Sequence, residues 1–284
     1  MKRQPRKPRQ VRRAILAAAV LGAAATPVFA QDATSQFISP YDQTLTIGLG
    51  GIVNRFDTSL RLDGNTHSGT DFTLENNGLK KDNSSFEALV TWRIARAHRL
   101  DFEYWTAKRS GSRDYSTSID IGDTTFPIGA NVSIQAKDSL ASLDYRWSFS
   151  QSPDSEWAAV IGFYGGKFTF DVNAVGNAGT VNTTYNKSVS TTLPLPLIGV
   201  SWDWYPDKQW QVSAVLQGMK AKVGDVDGHC YQFWGGLEYQ LWRNFGVGAR
   251  YTYNDLGATV SKSDFNGNLS WKSNAVSLYG KFVF

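Results

Sequence analysis

The sequence predicts an all-β protein: a transmembrane up-and-down antiparallel β-barrel, with ten strands preferred and eight or twelve as alternatives. Three observations predict it. Apolar residues alternate with polar ones in one segment after another, the connections between these segments are alternately long and short, and no apolar run reaches 18 residues. Alternation with a period of two is typical of a strand with one apolar face, and a shorter apolar run does not span a bilayer as a helix.

The first 30 residues predict a cleaved secretory signal peptide. Seven Lys and Arg residues precede an apolar run from Ala14 to Ala25, and Val28-Phe29-Ala30 supplies small residues for cleavage. Residues 31–43 are then expected to form a periplasmic lead-in, and residues 44–284 the barrel.

Removal of this segment changes the charge of the chain. The full sequence carries 29 Lys and Arg against 25 Asp and Glu, and seven of the cations lie in the first 30 residues. The remaining 22 cations face 25 acids, a net charge of about −3, so no nucleic-acid partner is expected. Cys230 is the single cysteine, which excludes an internal disulfide.

The last strand shows the alternation most clearly. From Val276 to Phe284 the even-numbered positions form one uncharged face, and Lys281 lies on the other. An apolar strand at an open sheet edge invites aggregation, and closure into a barrel removes the edge. Leu278, Phe282 and Phe284 resemble the C-terminal signal of Gram-negative outer-membrane β-barrel proteins, which is recognised by their assembly machinery.

Nine connections separate the ten predicted strands. The long ones are residues 64–84, 113–131, 174–192, 222–229 and 261–267, and the short ones are 95–98, 150–155, 206–208 and 243–244. Bacterial outer-membrane barrels have an even number of strands, short periplasmic turns and longer outer loops. The short turns are therefore expected in the periplasm.

Two local predictions concern the middle of the chain. The apolar alternation of the fifth strand shifts at Gly165-Gly166, which predicts a β-bulge that returns Phe168 to the outer face. Pro194 and Pro196 cannot donate to a ladder, so they are expected at the loop end of the sixth strand, above the membrane.

The polar faces predict a lumen that carries both signs of charge. The predicted inward charges are Glu87, Arg93, Asp101, Glu103, Asp144, Arg146, Asp203, Glu238, Arg250 and Lys281, to which Lys167 and Asp171 are added. Two interpretations stay open. Ion pairs and hydrogen bonds could fill the lumen, which is preferred, or the lumen could be a water-filled path with a weak cation preference.

The opposite faces predict contact with lipid. Their outward positions hold no Asp, Glu, Lys or Arg over four or five alternate sites, which span about 23 Å after strand tilt. Aromatic residues cluster at the short turns and predict a periplasmic girdle of Trp147, Trp157, Trp204, Trp210 and Trp242.

The whole mature chain is similar to small Gram-negative outer-membrane β-barrel proteins, the broad group that includes opacity-type and OmpA-like barrels. The resemblance implies an outer-membrane location reached by the general secretory route. It also implies three partners: the lipid bilayer, lipopolysaccharide and the barrel assembly machinery. The predicted function is non-enzymatic, a structural protein or a porin-like channel for small solutes, with no cofactor. The alternative is an adhesin or interaction protein that acts through loops 64–84, 113–131 and 174–192 on an unidentified surface ligand.

A hydrolase is the minor alternative. Asp227 and His229 have the spacing of the Asp/His pair in the omptin proteases, which are ten-stranded barrels, but Asp120 and Asp123 match the second pair of that site poorly. His67 lacks the H-x-S spacing of a lipid A deacylase. The three histidines are scattered, so no metal site is expected.

Overall fold

The computed structural model describes residues 37–64, 68–76, 78–121, 123–126, 128–178, 181–261 and 266–284. The predicted signal peptide, the first part of the lead-in and His67 lie outside these residues. The strands are β1 Leu45–Leu62, β2 Phe72–Thr73, β3 Asp82–Ala95, β4 His98–Asp114, β5 Ile119–Ile121, β6 Thr124–Phe126, β7 Asn131–Gln151, β8 Ser155–Ala178, β9 Val181–Trp204, β10 Trp210–Val223, β11 Val226–Trp242, β12 Phe245–Ser261 and β13 Asn266–Val283. No helix among the described residues is long and apolar enough to cross a membrane.

Ten of these strands form one closed ring. Each pairs antiparallel with the next, in the order β1, β3, β4 and then β7 to β13. The ring closes because β13 pairs antiparallel with β1 over 17 positions, from Thr46 opposite Val283 to Leu62 opposite Gly267. The predicted all-β class and the ring of ten antiparallel strands are confirmed.

An apolar belt surrounds the ring. Phe282, Trp147 and Tyr251, which alternation places outward, are 42%, 51% and 43% exposed, and Leu216 and Leu278 are exposed as well. Monomeric soluble proteins rarely expose a continuous apolar patch larger than a few hundred Å². A belt of this kind is the surface expected of a barrel that faces hydrocarbon.

The predicted bulge at Gly165-Gly166 is wrong. These two glycines pair in unbroken register with residues 140–141 of β7. The backbone alternation therefore continues, and Phe168 lies inside the barrel, where it is fully buried. The shift in the sequence marks a different event: the apolar side of β8 changes from the outer face to the interior.

The same correction applies to two charges of β8. Lys167 and Asp171 were predicted to line the lumen, but both lie on the outer face. Asp171 pairs there with Lys137 of β7, at 3.0 Å between the Lys Nζ and Asp Oδ2 atoms. The prediction placed both residues on the wrong face because it assumed a bulge that the structure does not contain.

The loop predicted at 174–192 is wrong as well. β8 and β9 pair from end to end and form one long hairpin. β9 pairs with β10 only from Ile198 to Trp204, whereas β8 pairs with β7 as far as Val175. The β9 edge is therefore unpaired before Ile198, and only the tip of the hairpin extends past β7. Pro194 and Pro196 lie within β9 rather than in a loop. They are tolerated because this part of β9 has no ladder with β10 that would need their missing N–H groups.

The connection predicted at 222–229 is a tight turn, since β10 ends at Val223 and β11 begins at Val226. Gly224 has a φ of 60°, a backbone conformation that favours glycine. Residues 63–81 and 115–130 are long connections, as predicted, and the second contains the β5–β6 hairpin. Residues 262–265 of the last predicted loop lie outside the described part of the chain.

Candidate functional site

The barrel interior is filled by two layers of side chains. We call the layer near the short turns the polar layer; its charged members are Glu87, Arg93, Arg99, Asp101, Glu103, Asp144, Arg146, Glu156, Asp203, Glu238, Arg250 and Lys281. We call the layer near the opposite end the apolar plug; its large members are Ile52, Phe56, Leu60, Trp105, Leu140, Phe168, Phe170, Leu256, Leu269 and Trp271. The sequence placed ten of the charged residues on the inner face, and eight of those ten are buried.

Arg250 is the centre of the first ion-pair cluster. One of its guanidinium nitrogens lies 2.6 Å from Glu87 and 2.8 Å from Glu103. The guanidinium group also faces the ring of Trp234, at 5.3 Å from the centroid. A buried charge is tolerated when it is paired, so these contacts offset the cost of removing the three charges from water.

A second cluster spans the other side of the lumen. Arg99 lies 2.6 Å from Asp203, and Arg146 lies 2.7 Å from Asp101. Nearer the short turns, Arg93 pairs with Glu156 at 3.0 Å, and Lys281 pairs with Glu238 at 2.5 Å.

Two members of this second cluster escaped the sequence analysis. Arg99 is two residues from Asp101 and so shares its inward face, and Glu156 is the second residue of β8 and lies on its inward face. Extending the alternation to the ends of the strands would have found both residues.

Amide side chains form a hydrogen-bonded ladder across four strands. Gln217 donates to Asp144 at 3.2 Å and to Gln232 at 2.6 Å. Gln232 donates to Asn254 at 2.9 Å, and Asn254 donates to Ser273 at 3.2 Å. The ladder links β10 to β13 from the inside and satisfies polar groups that have little access to water.

A small cavity remains inside the polar layer. Its volume is about 90 Å³, and its lining includes Asp101, Glu103, Asp144 and Arg146. At the ~30 Å³ that a water molecule occupies in the liquid, it holds roughly three waters. The space is therefore sufficient to hydrate the network but does not amount to a wide channel.

The lead-in crosses the mouth of the barrel at the short turns. The Tyr41 hydroxyl donates to the carbonyl of Ser152 at 2.5 Å and lies 2.9 Å from that of Ser155. Its ring packs edge-on against Tyr205, with centroids 5.0 Å apart. Burial raises the pKa of Tyr41 to about 12, which favours the protonated hydroxyl that donates this hydrogen bond. Gln43 ties the same segment to Gln240 at 3.3 Å.

Aromatic rings form the centre of the apolar plug. Trp271 is completely buried, and its ring centroid lies 5.6 Å from Phe56, 6.1 Å from Trp105 and 5.7 Å from Phe168. These four side chains come from β13, β1, β4 and β8, which are distributed around the ring. Their contacts therefore fill the lumen from wall to wall.

Glu75, from the connection between β1 and β3, is fixed inside the barrel. It lies 2.7 Å from Arg109, and its other oxygen accepts the backbone N–H of Thr58 at 2.7 Å. Arg109 also lies 3.5 Å from Asp138 and 4.0 Å from the ring centroid of Phe56. We call this group the Glu75 latch; it holds the long connection over the plug.

Apolar side chains from both long connections cover the outer end of the plug. They are Phe72, Leu74 and Leu79 from the first connection and Ile119, Ile121 and Phe126 from the second, and all are buried. These segments, predicted as polar outer loops, therefore serve partly as a lid on the barrel.

The other predicted site residues lie on the outer surface. The five tryptophans assigned to the periplasmic girdle are exposed beside the short turns, and Leu278, Phe282 and Phe284 are exposed on the last strand. Their roles as interfacial anchors and as an assembly signal stay predictions.

The residues considered for a hydrolase are dispersed. Asp227 and His229 project from the outer face of β11, where His229 lies 3.7 Å from Asp255. Asp120 belongs to the β5–β6 hairpin and accepts a hydrogen bond from Thr125 at 2.6 Å. No hydrogen bond or ion pair identified in the described chain joins Asp120 to Asp227 or His229. The non-enzymatic assignment stays a prediction.

Comparison with known proteins shows similarity at the level of the fold. No protein-family model matches the chain, and no curated protein sequence matches it. The outer membrane protease OmpT from Escherichia coli superimposes with a TM-score of 0.57 at 8% identity, covering 88% of this chain and 99% of that protein. The attachment invasion locus protein Ail of Yersinia pestis gives a TM-score of 0.32 at 10% identity, covering 85% of this chain and 99% of Ail. The chain has the fold of the Gram-negative outer-membrane β-barrel proteins.

Proposed function

We propose that the chain is an integral outer-membrane β-barrel protein with a closed lumen, and that its role is structural and non-enzymatic rather than that of a solute channel. The apolar plug carries this proposal. Conduction requires a hydrated path, and protein interiors packed with aromatic rings leave few voids larger than a water molecule. The ion pairs of the polar layer also favour the filled lumen over an open one.

The closed lumen predicts that the wild-type protein does not conduct. Purified protein inserted into a planar lipid bilayer should give no stable current steps comparable to those of a general porin. Single-channel recording in concentrated KCl tests this directly, with a porin prepared in the same detergent as the control. Stable, ohmic steps from the wild-type chain would overturn the closed lumen.

Membrane insertion predicts a position-dependent cost for a charge on the outer face. Leu216, near the middle of the apolar belt, is 60% exposed, and Ser139 lies at the edge of the belt on β7. Leu216→Arg should lower the free energy of unfolding in lipid by about 2–4 kcal/mol, whereas Ser139→Arg should cost about 0–1 kcal/mol. Urea titration of protein folded into phospholipid vesicles measures both. Equal small costs would favour a water-exposed sheet.

A second candidate function is surface interaction through the β8–β9 hairpin. Residues 181–197 of β9 pair with β8 alone, which leaves the other edge of β9 free beyond its ladder with β10. β8 pairs with β7 as far as Val175, so the hairpin extends as two strands only beyond the Val175–Thr184 pair. The other two segments proposed as adhesive loops bury apolar side chains over the plug. The hairpin is therefore the better surface for binding a partner.

Shortening the hairpin tests this second function. Replacement of residues 176–183 by Asn-Gly leaves Val175 and Thr184, which are paired, on either side of a two-residue turn. Cells that display the shortened chain should lose adhesion to immobilised matrix proteins while the amount of folded barrel is unchanged. Unchanged adhesion, or no adhesion by the wild type, would remove this candidate.

A further inference from the structure

The two longest strands of the ring are β8 and β9. Each has 24 residues, whereas the other eight ring strands have 14 to 21. On β8, Lys167 is the first outward charge and lies ten residues from Trp157 at the short turn. Ten residues span about 33 Å, or about 25 Å at a strand tilt near 40°, which matches the apolar band of outer-membrane barrels. The rest of β8, and the part of β9 that pairs with it, therefore rise above the outer side of the bilayer.

One edge of β9 is unpaired in this part of the hairpin. Val181 to Leu197 pair with β8 on one side, and the ladder with β10 begins only at Ile198. Every second residue of an antiparallel strand directs its N–H and C=O groups to the same neighbour, so the other edge of β9 presents a row of donors and acceptors. No backbone hydrogen bond identified among the described residues occupies this row. A long unpaired edge is a template for another strand.

Prolines protect the membrane end of this edge. Pro194 and Pro196 lie in an unbroken ladder with β8, so their nitrogen atoms face the opposite edge. They cannot donate to an added strand, and proline on an edge is one of the devices that prevent unwanted pairing. The 13 residues from Val181 to Leu193 contain no proline and no glycine. We call these 13 residues the open edge, because this protection is absent there.

The sequence of the open edge favours pairing with an identical strand. Seven of its 13 residues are Val, Thr or Tyr, and Lys187 is its one charged residue. High strand propensity, low net charge and the absence of Pro and Gly characterise segments that pair with copies of themselves. An antiparallel register that is not centred on Lys187 sets this lysine opposite an uncharged residue, so no like charges oppose the pairing.

The direction of β9 decides how two copies can meet. Two copies in one membrane are related by a rotation about the membrane normal, so their β9 strands run in the same sense along the normal. With tilts near 40° in opposite directions, these strands cross at about 80° and cannot form a ladder. A two-fold axis parallel to two facing membranes reverses the second strand, and the two open edges then meet antiparallel.

We propose that the open edge pairs antiparallel with the open edge of a second copy in a facing membrane, so that the protein joins two membranes. The inference rests on the proposed function, which places the hairpin outside the bilayer, and it names a partner for the second candidate function. Pairing joins the two hairpins into one four-stranded sheet, in which backbone hydrogen bonds supply the attraction. The interface is isologous, because the same residues contribute from both copies.

Association of protein-containing vesicles tests the proposal. Phospholipid vesicles that carry the wild type should aggregate, as measured by light scattering, whereas protein-free vesicles should not. Asn186→Pro/Ser190→Pro places two further prolines in phase with Pro194, so it removes donors from the open edge and leaves the ladder with β8 intact. We expect at least about a tenfold loss of associated vesicles. Asn186→Ala/Ser190→Ala truncates the same side chains but keeps both N–H groups, and it should associate like the wild type.

Disulfide trapping gives a second measurement, which does not depend on the folding of the proline variant. Single cysteines at the exposed positions 184, 186, 188, 190 and 192 are placed in separate vesicle populations, which are then mixed in pairs and oxidised. Two-fold symmetry predicts that cross-links form between positions whose residue numbers add to one constant value. The native Cys230 is buried, so it should form no cross-link in any mixture.

Four outcomes would overturn the inference. They are no association of vesicles that carry inserted wild type, association of the folded proline variant equal to that of the wild type, an equal loss in the alanine variant, and cross-links that share no common sum. Insertion into the vesicles, scored by protease protection, separates the two proposals. Inserted protein that does not associate removes the self-pairing alone, whereas failure to insert removes the membrane barrel and the self-pairing together.

Discussion

Trp271→Ala should destabilise the folded barrel by about 3–5 kcal/mol, because it removes a large, fully buried side chain and leaves a cavity at the centre of the apolar plug. The rings of Phe56, Trp105 and Phe168 all contact Trp271, and they come from three different strands. A rigid barrel wall cannot close around the lost volume. Urea titration in detergent or lipid, followed by the gel mobility of folded and unfolded forms, measures the loss.

Trp242→Ala is the matched control for this experiment. The same atoms are removed, but Trp242 is 65% exposed on the outer face, so little packing inside the barrel is lost. We expect its cost to be well under half that of Trp271→Ala. Equal costs for the two variants would show that the interior is not the closely packed plug on which the closed lumen depends.

Trp271→Ala should also admit water to the apolar plug. Cys230 is completely buried in the apolar plug and is the single cysteine of the chain, so its thiol reports access of water to this layer. A water-soluble thiol reagent should modify folded Trp271→Ala faster than the folded wild type, while both unfolded proteins react alike. Fast reaction of the folded wild type would contradict a closed plug.

Most of the ring could be predicted because a strand has a fixed period of two. Alternation placed Glu87, Asp144 and Arg250 inside and Leu278 outside, since a bilayer and a charged lumen select opposite residue types for the two faces. The number of strands came from counting the nine connections between the alternating segments. Where each side of a strand has a single chemical character, the sequence is enough to assign its residues to the inner and outer faces.

The rule failed where the surroundings of the two faces exchange along one strand. Beyond Gly165, β8 turns apolar residues inward and polar residues outward, because this end of the strand has left the bilayer and packs against the plug. Phe168 and Lys167 were therefore assigned to the wrong faces. A change in the phase of the pattern marks a change of surroundings as readily as a bulge, and alternation alone does not separate the two.

The contacts inside the lumen were less accessible to prediction. Glu103 and Lys281 indicated the inward faces of β4 and β13, but no local pattern shows that Trp105 and Trp271, far apart in the chain, meet in one cluster. Glu75 lay in a segment that is polar by composition, and its burial depends on a partner, Arg109, in another strand. Such pairings are set by the strand register and the loop path, which composition does not encode.

The second large loss of stability is expected at the Glu75 latch. Arg109→Leu should destabilise the barrel by about 3–5 kcal/mol, because the carboxylates of Glu75 and Asp138, both almost completely buried, lose their shared cation. Arg96→Leu makes the same change at an exposed position in the β3–β4 turn and should have little effect. Urea titration compares the two variants.

A double-mutant cycle separates the latch from a general loss of packing. If the Glu75–Arg109 pair holds the connection in place, Glu75→Gln added to Arg109→Leu should recover part of the lost stability, because one unpaired buried charge is removed. Thiol modification of Cys230 should be faster in Arg109→Leu and slower again in the double variant. Strictly additive losses, with no change in Cys230 reactivity, would mean that Glu75 and Arg109 act independently and that the long connection is held over the plug by its apolar side chains alone.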